Sequence, residues 1–213
     1  MREYEELFDY VRDTLENVSN QCSKGKISIN YKRFDHIKRV YSWAKRILSE
    51  LSEDITIHKE AVLLAAIFHD VGYGSKDDNT EHAEESAKIC EAYLKEQGYD
   101  SQLINQVVYL VKNHSRKELL SDVRTPIELI VLMEADLLDD TAALALVMDA
   151  MIVTKKRKPD FYKVYQHMLE FSVKHMKQNP MITEPAKRFW KEKQKLTEEF
   201  IRQLARDLNI TQE

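Results

Sequence analysis

The sequence predicts an all-α protein. Four glycines and four prolines are too few among 213 residues to interrupt helices often. Apolar residues form 43% of the chain, and they recur at the three- and four-residue spacing of a helix face. Strand-like alternation of useful length does not occur in the sequence. The length and the apolar fraction suit a sizeable core, and we predict one all-α domain over residues 1–213.

The first half of the chain contains five predicted helices. Apolar residues such as Leu7, Val11 and Leu15 recur on one face of the first helix. We expect Gly72 to be the C-cap glycine of the third helix, and we expect Ser101 to open the fifth. The approximate bounds of these helices are residues 2–19, 31–51, 57–71, 81–97 and 101–113.

Prolines mark the helices of the second half of the chain. Pro126 is expected at the first position of a helix, where its missing N–H is not needed. Pro159 ends that helical stretch, which we expect to break near Asp139–Asp140. A polar loop is predicted at residues 114–124. The approximate bounds of the helices are residues 125–155, 160–176 and 184–208.

Composition and charge argue against several classes of function. The net charge of −4 argues against bulk binding of nucleic acid. The sequence has no apolar run of about 18 residues, so we expect no membrane span, and the acidic N-terminus does not resemble a signal peptide. Cys22 and Cys90 are too few and too far apart for a disulfide framework. We therefore expect a cytoplasmic protein.

Two aspartates follow strongly apolar helical stretches. His69 and Asp70 come directly after Ala65–Phe68, and Asp136 lies within LIVLMEADLLDD. A carboxylate near a buried run is costly unless it is paired or bound to a cation. No lysine or arginine adjoins either aspartate in the sequence, so we expect a divalent metal to supply the counter-charge. Imidazole and carboxylate together suit Mn, Fe, Ni, Co or Zn rather than Ca.

The seven histidines fall into a group of four and a group of three. The group of three, His58, His167 and His175, is expected to consist of structural or surface residues. A single helical histidine is usually structural or solvent-facing as well, so the case for metal ligands depends on several histidines together. Four of the seven histidines lie within or at the ends of successive predicted helices: His36, His69, His82 and His114.

The order His36, His69–Asp70, Asp136 resembles the H…HD…D pattern of the HD-domain superfamily of metal-dependent phosphohydrolases. FDHIKRVYSWA is similar to the helix of the first ligand, LLAAIFHDVGYG to the HD helix and its glycine turn, and EADLLDD to the final motif. EHAEESAKI and VKNHS resemble the further histidine motifs of one bacterial subgroup. The resemblance covers residues 31–145 and implies a helical bundle, with additional helices before it and at residues 160–213.

The resemblance also implies a set of metal ligands. Asp70 would be the bridging carboxylate and would orient the attacking hydroxide. His82 and His114 match the additional histidines of members with two metals, although some related domains use such histidines to contact phosphate. Glu134 and Leu137 depart from the residues common in the subgroup, and Leu137 loses an anion contact, so the choice of substrate stays open. The residues assigned to a first metal are His36, His69, Asp70 and Asp136.

The function implied by the resemblance is hydrolysis of a nucleotide or other small phosphate ester at one or two divalent metals. The acidic loop with Asp77, Asp78 and Glu81 could supply a general acid. Cations that could hold the phosphate are Arg33, Arg39, Lys76, Lys112 and Arg116.

Two other classes stay open at this point. Some proteins of the HD fold with the six-ligand order H…HD…H…H…D are mixed-valence di-iron oxygenases, and this chain has the same order. A non-catalytic metal or nucleotide sensor is the third class, because a fold does not by itself imply an activity. The last predicted helix, 184–208, could dock on the core or on a second copy of the chain in a homodimer.

Overall fold

All regular elements in the described part of the chain are helical, which confirms the predicted all-α class. The structure, a computed structural model, describes residues 4–21, 27–73, 82–156 and 160–210. The α-helices in these residues are α1 Glu5–Gln21, α2 Ile27–Glu50, α3 Lys59–Phe68, α4 His82–Glu96, α5 Ser101–Asn113, α6 Ile127–Leu138, α7 Ala143–Lys156, α8 Phe161–Met168, α9 Lys174–Met176 and α10 Glu184–Asp207.

The predicted helices agree with these bounds within a few residues, apart from one short element. A 3₁₀-helix, Lys117–Ser121, lies where the sequence predicted only a loop. The predicted break near Asp139–Asp140 is confirmed, because α6 ends at Leu138 and α7 begins at Ala143. Asp140 has a positive φ of 29°, which ends the helical path of the backbone.

The chain forms two compact units, residues 1–136 and 137–213. The first unit contains α1 to α5 and most of α6, and the second contains α7 to α10. The domain limits implied by the family resemblance, a core over residues 31–145 and accessory helices over 160–213, stay predictions.

Helix α3 is the central element of the first unit. All of its residues from Ala61 to Phe68 are buried, which agrees with a helix that is apolar on every side. It packs against α2 and α5. His58 caps its N-terminus, because the His58 Nδ1 atom accepts a hydrogen bond from the backbone N–H of Ala61 at 3.3 Å. His58 therefore has the structural role that the sequence predicts.

The prediction that Gly72 is a C-cap glycine is wrong. Helix α3 ends at Phe68, and the next residue, His69, keeps the right-handed helical conformation. Among the described glycines, Gly98 is the one with a positive φ, 73°. A glycine is needed at this position because the backbone of α4 passes close to it. A Cβ atom on residue 72 would lie 2.6 Å from the backbone nitrogen of Ser86 in α4. The Gly72 N–H also donates a hydrogen bond to Ser86 Oγ at 2.9 Å.

Replacing Gly72 with alanine is expected to lower the free energy of unfolding by about 2 kcal/mol or more, because the backbone of α4 must move. Gly98→Ala is the matched control: a Cβ atom there meets nothing within 4 Å, and the cost is the positive φ alone. That cost is about 1 kcal/mol. Urea unfolding of both variants measures the difference, and an equal or smaller loss for Gly72→Ala would contradict the steric argument.

The second unit has its own core between α7, α8 and α10. Helix α8 continues through a π-helical turn, Leu169–Val173, into α9. In this turn the buried Ser172 donates a hydrogen bond to Asp149, and His167 Nε2 lies 3.5 Å from the same carboxylate. The core residues are Leu146, Val164, Tyr165, Met168, Ile201 and Ala205.

Among the described helices, none has both the length and the apolar composition needed to cross a bilayer.

Candidate metal centre

The structure brings the six predicted site residues together in the first unit, although they come from separate elements. Four of them lie at the ends of helices, and two lie within helices. Because helix ends leave backbone carbonyl groups without helical partners, side chains there can be oriented by the backbone. The residues and their positions are His36 in α2, His69 and Asp70 directly after α3, His82 at the start of α4, His114 directly after α5, and Asp136 in α6.

The first group of donor atoms belongs to His36, His69 and Asp70. The Nε2 atoms of the two histidines are 3.3 Å apart, and each lies 3.6 Å from Asp70 Oδ2. Two ligand atoms that lie about 2.1 Å from one ion are separated by about 3.0–3.4 Å, depending on the coordination geometry. The observed separations are close to this range, so these three residues could hold a metal ion.

The second group shares Asp70 with the first. Asp70 Oδ1 lies 3.3 Å from His82 Nε2 and 3.4 Å from His114 Nε2, and the two nitrogen atoms are 3.4 Å apart. These atoms could also hold an ion. The two oxygen atoms of Asp70 therefore face different pairs of histidines, which is the arrangement of a carboxylate that can bridge two ions.

Asp136 adjoins the first group through His36. Asp136 Oδ1 lies 3.2 Å from His36 Nε2. The other oxygen, Oδ2, accepts a hydrogen bond from Lys117 Nζ at 2.6 Å. The Lys117 ammonium also donates to the backbone carbonyl of His114 at 2.8 Å, so it links Asp136 to the second group.

Backbone carbonyl groups determine which nitrogen of two histidines faces the centre. His69 Nδ1 lies 2.9 Å from the carbonyl oxygen of Ala66, and His114 Nδ1 lies 2.7 Å from that of Val111. A carbonyl oxygen can only accept, so each Nδ1 carries the proton and donates. In the neutral ring, Nε2 then has a lone pair directed at the centre, which is the form that binds metals.

Burial keeps His69 neutral. The ring is fully buried, and burial lowers the pKa of His69 to about 4. Burial alone would raise the pKa of Asp70, but the imidazoles of His69 and His114 and the guanidinium of Arg33 outweigh it and hold that pKa well below its usual value. Neutral imidazole and ionised carboxylate are the protonation states of metal ligands.

The carboxylate of Asp136 is ionised for a similar reason. Burial would raise the pKa of Asp136, but the charge of Lys117 and the imidazole of His36 hold it far below its usual value. Both aspartates of the centre are therefore negatively charged at neutral pH.

No lysine or arginine adjoins these aspartates along the chain, but the fold brings one to each of them. Arg33 Nη1 is 2.5 Å from Asp70 Oδ2, and Lys117 pairs with Asp136. Arg33 precedes His36 by three residues in α2, so both side chains lie on the same helix face. Lys117 is not distinguished in the sequence, because its spacing from His114 is like that of the neighbouring cations.

Two of the other predicted cations pair with surface carboxylates. Lys112 pairs with Glu84 at 3.1 Å, and Arg116 pairs with Glu118 at 3.2 Å, in exposed positions. Lys76, Asp77, Asp78 and Glu81, which the sequence suggested as phosphate-binding or acid residues, lie outside the described residues.

A known family model matches the part of the chain that contains this site. The HD domain model matches residues 33–141, which is just over half of the chain and includes all six site residues. The chain belongs to the HD domain family. This confirms the resemblance seen in the sequence.

Solved structures show the same fold over nearly the whole chain. An HD-superfamily hydrolase from Bacillus thuringiensis is 20% identical and has a TM-score of 0.66, with 98% of this chain and 100% of that chain covered. The Lin1889 protein from Listeria innocua is 21% identical with a TM-score of 0.61, and 99% of each chain is covered. Bacillus subtilis YpgQ, in complex with ADP, is 20% identical with a TM-score of 0.59, and 95% of each chain is covered. The search of curated proteins found no match.

Proposed function

We propose that this protein is a metal-dependent phosphohydrolase that acts on a nucleotide or another small phosphate ester. The observation that carries the proposal is the position of Asp70 between two pairs of imidazoles. Each carboxylate oxygen of Asp70 lies within 3.6 Å of two histidine Nε2 atoms. Dinuclear hydrolases hold two ions in this way, about 3.5–4 Å apart.

The ligands in this proposal are the residues that the sequence suggested. Neutral imidazoles and ionised carboxylates form the donor set, and Mn, Fe, Ni, Co and Zn all accept such donors. His36, His69, Asp70 and Asp136 would hold the first ion. Asp70, His82 and His114 would hold the second.

The side chains around the ions have distinct parts in the reaction. Bound ions supply a water molecule of lowered pKa and offset the negative charge of phosphate. Asp70 would be shared by the two ions and would orient the attacking water. Arg33 and Lys117, whose side chains are 24% and 30% exposed, add positive charge at the edge that a phosphate would approach.

The class of substrate is suggested by a relative with the same fold. YpgQ is in complex with ADP, which supports a nucleotide as the substrate. A phosphate ester also agrees with the two cations beside the site, because both arginine and lysine bind phosphate oxygens.

A di-iron oxygenase is the second candidate. The same nitrogen and oxygen donors suit two irons, and Asp70 could bridge them as well. Turnover that requires iron and O₂ would favour the oxygenase. Turnover of phosphate esters under anaerobic conditions with Mn²⁺ or Co²⁺ would exclude it. Ligand binding without turnover under either condition would favour a sensor.

The test of the proposal begins with the metal content per chain. Protein purified without chelators or nickel resin is analysed by elemental mass spectrometry and then assayed against nucleotides and phosphomonoesters. We expect about two ions per chain and phosphate release that depends on them. Protein that binds no metal after reconstitution, or that is fully metal-loaded but releases no phosphate from any substrate, would refute the proposal.

Removing the side chains of His82 and His114 is expected to abolish the binding of one ion and to retain the binding of the other. In the double variant His82→Ala/His114→Ala, the metal content should fall from about two ions per chain to about one, because the donors of the first group are intact. His175→Ala is the control, since His175 packs on Trp190 in the second unit. Two ions in the double variant would show that these histidines are not ligands.

A further inference from the structure

Two cations lie directly against the carboxylates of the candidate metal centre. Arg33 Nη1 is 2.5 Å from Asp70 Oδ2, and Lys117 Nζ is 2.6 Å from Asp136 Oδ2. The Asp70 side chain is only 4% exposed, whereas the Arg33 side chain is 24% exposed. Arg33 therefore reaches from the edge of the site to a buried negative charge that the proposed function assigns to metal binding.

A metal ion and Arg33 would compete for the same oxygen atom. An ion bound to Asp70 Oδ2 at about 2.1 Å would lie no more than about 4.6 Å from the Arg33 Nη1 atom, given the observed contact of 2.5 Å. A divalent ion and a guanidinium at this distance repel each other strongly in a buried site of low dielectric. Metal binding therefore weakens the hydrogen bond between Arg33 and Asp70.

Tyr73 provides a second contact for the displaced guanidinium. The Arg33 Cζ atom lies 3.7 Å from the centroid of the Tyr73 ring. The same ring lies edge-on to His82, with their centroids 5.8 Å apart. A stacked guanidinium keeps its N–H groups free at the edge of its plane, where they match the oxygen atoms of a phosphate. Tyr73 can thus keep Arg33 beside the site after it leaves Asp70.

We propose that Arg33 is an internal counter-ion that metal binding displaces from Asp70, and that the displaced guanidinium, held by Tyr73, then binds an anionic group of the substrate. The second step rests on the proposed function; the first concerns metal and protein alone. While it is paired with Asp70, Arg33 is not available to an anion. The site therefore binds metal first and phosphate second.

An arginine that only oriented Asp70 would have the opposite effect on metal binding. Removal of an orienting residue weakens metal affinity, as is typical of hydrogen-bonding partners of metal ligands. Removal of a competing cation strengthens it. The sign of the change in affinity therefore decides between the two roles.

The test compares wild type with Arg33→Gln by titration calorimetry of the metal-stripped proteins with Mn²⁺. We expect Arg33→Gln to bind Mn²⁺ about tenfold more tightly, because the competing charge is gone. Inorganic phosphate is then titrated into both Mn²⁺-loaded proteins, and Arg33→Gln should bind it at least about tenfold more weakly. Wild type should bind phosphate more tightly with Mn²⁺ than without it.

Arg46→Gln is the matched control, because Arg46 also lies in α2 and also stacks on an aromatic ring, that of Trp43, with 4.3 Å between the Cζ atom and the ring centroid. It should change neither affinity. Tyr73→Leu is the second variant and should weaken phosphate binding by the Mn²⁺-loaded protein while Mn²⁺ binding stays within about twofold of wild type.

Equal or weaker Mn²⁺ binding by Arg33→Gln would overturn the displacement, and so would phosphate binding by wild type that does not depend on Mn²⁺. These titrations need no turnover, so the two proposals can fail separately. Wild type that shows the expected affinities but hydrolyses no phosphate ester would refute only the proposed function.

Discussion

Replacing Asp70 with asparagine is expected to remove both metal ions and to lower phosphate release by on the order of 10³-fold or more. Asparagine keeps the shape of the side chain but loses the negative charge and one of the two acceptor oxygens. Since both groups of donor atoms share Asp70, a single substitution affects both ions. The measurements are the metal content per chain, phosphate release with the best substrate found, and far-ultraviolet circular dichroism to show that the helices survive.

Asp35→Asn is the matched control for this variant. Asp35 is the residue before His36 in α2, but it pairs with Lys38 in an exposed position. The same chemical change at Asp35 should leave metal content and turnover unchanged. An Asp70→Asn protein with two ions per chain, or with wild-type turnover, would show that Asp70 is not the shared ligand.

The stability of the metal-free protein is expected to fall as the pH is lowered from about 6.5 to about 4, because of His69. Burial lowers the pKa of His69 in the folded protein to about 4, whereas the unfolded chain takes up the proton near pH 6.5. Between these values the unfolded state binds more protons, so stability rises with pH in this window. The contribution of this one residue is about 3 kcal/mol, fully present above pH 6.5 and lost at about pH 4.

Urea unfolding of chelator-treated protein at a series of pH values measures this effect. In His69→Gln the loss of stability between pH 6.5 and 4 should be smaller by about 3 kcal/mol, whereas His175→Gln, an exposed histidine, should behave as wild type. Because the pKa values of Asp70 and Asp136 are lowered, these carboxylates affect stability mainly below about pH 4. There, their protonation removes their contribution to stability. If His69→Gln and wild type had the same pH dependence, the loss of stability could not be attributed to His69.

Local sequence patterns pointed to candidate ligands, whereas the choice of all six residues as one set rested on the resemblance to the HD-domain superfamily. His69 and Asp70 follow the buried helix α3, and His114 follows α5, so the end of an apolar periodicity locates them. The cost of a carboxylate beside a buried run then indicates that a counter-charge is needed. These features involve only neighbours along the chain, so they can be recognised without the tertiary structure.

Near neighbours along the chain do not reveal the counter-charges that the protein itself supplies. Arg33 and Asp70 are 37 residues apart in the sequence, and Lys117 and Asp136 are 19 apart. Neighbours along the chain contain no sign of these pairs, since one joins α2 to the end of α3 and the other joins the 3₁₀-helix to α6. Tyr73 was missed for the same reason, because its role depends on its contact with Arg33.

At Gly72, a local sequence rule and a tertiary contact give different reasons for the same glycine. A glycine just after a helix is usually a C-cap glycine, and this local rule predicts the end of α3 within a few residues. The actual reason for glycine here is the backbone of α4, which passes too close for a side chain. A statistical preference of helix ends cannot detect a contact with a helix that begins ten residues later.

The sequence by itself determined that this protein is helical and where its helices lie, because these properties depend on periodicity and on residues within a few positions of one another. Its resemblance to the HD-domain superfamily supplied the candidate metal ligands. Only the tertiary structure decided that the two oxygens of Asp70 face different pairs of histidines, and that Arg33 and Lys117 neutralise the two aspartates. Those features depend on distances of 2.5–3.6 Å between side chains from separate helices. Such distances are determined by how the helices pack, and helix packing is not encoded in any local stretch of the chain.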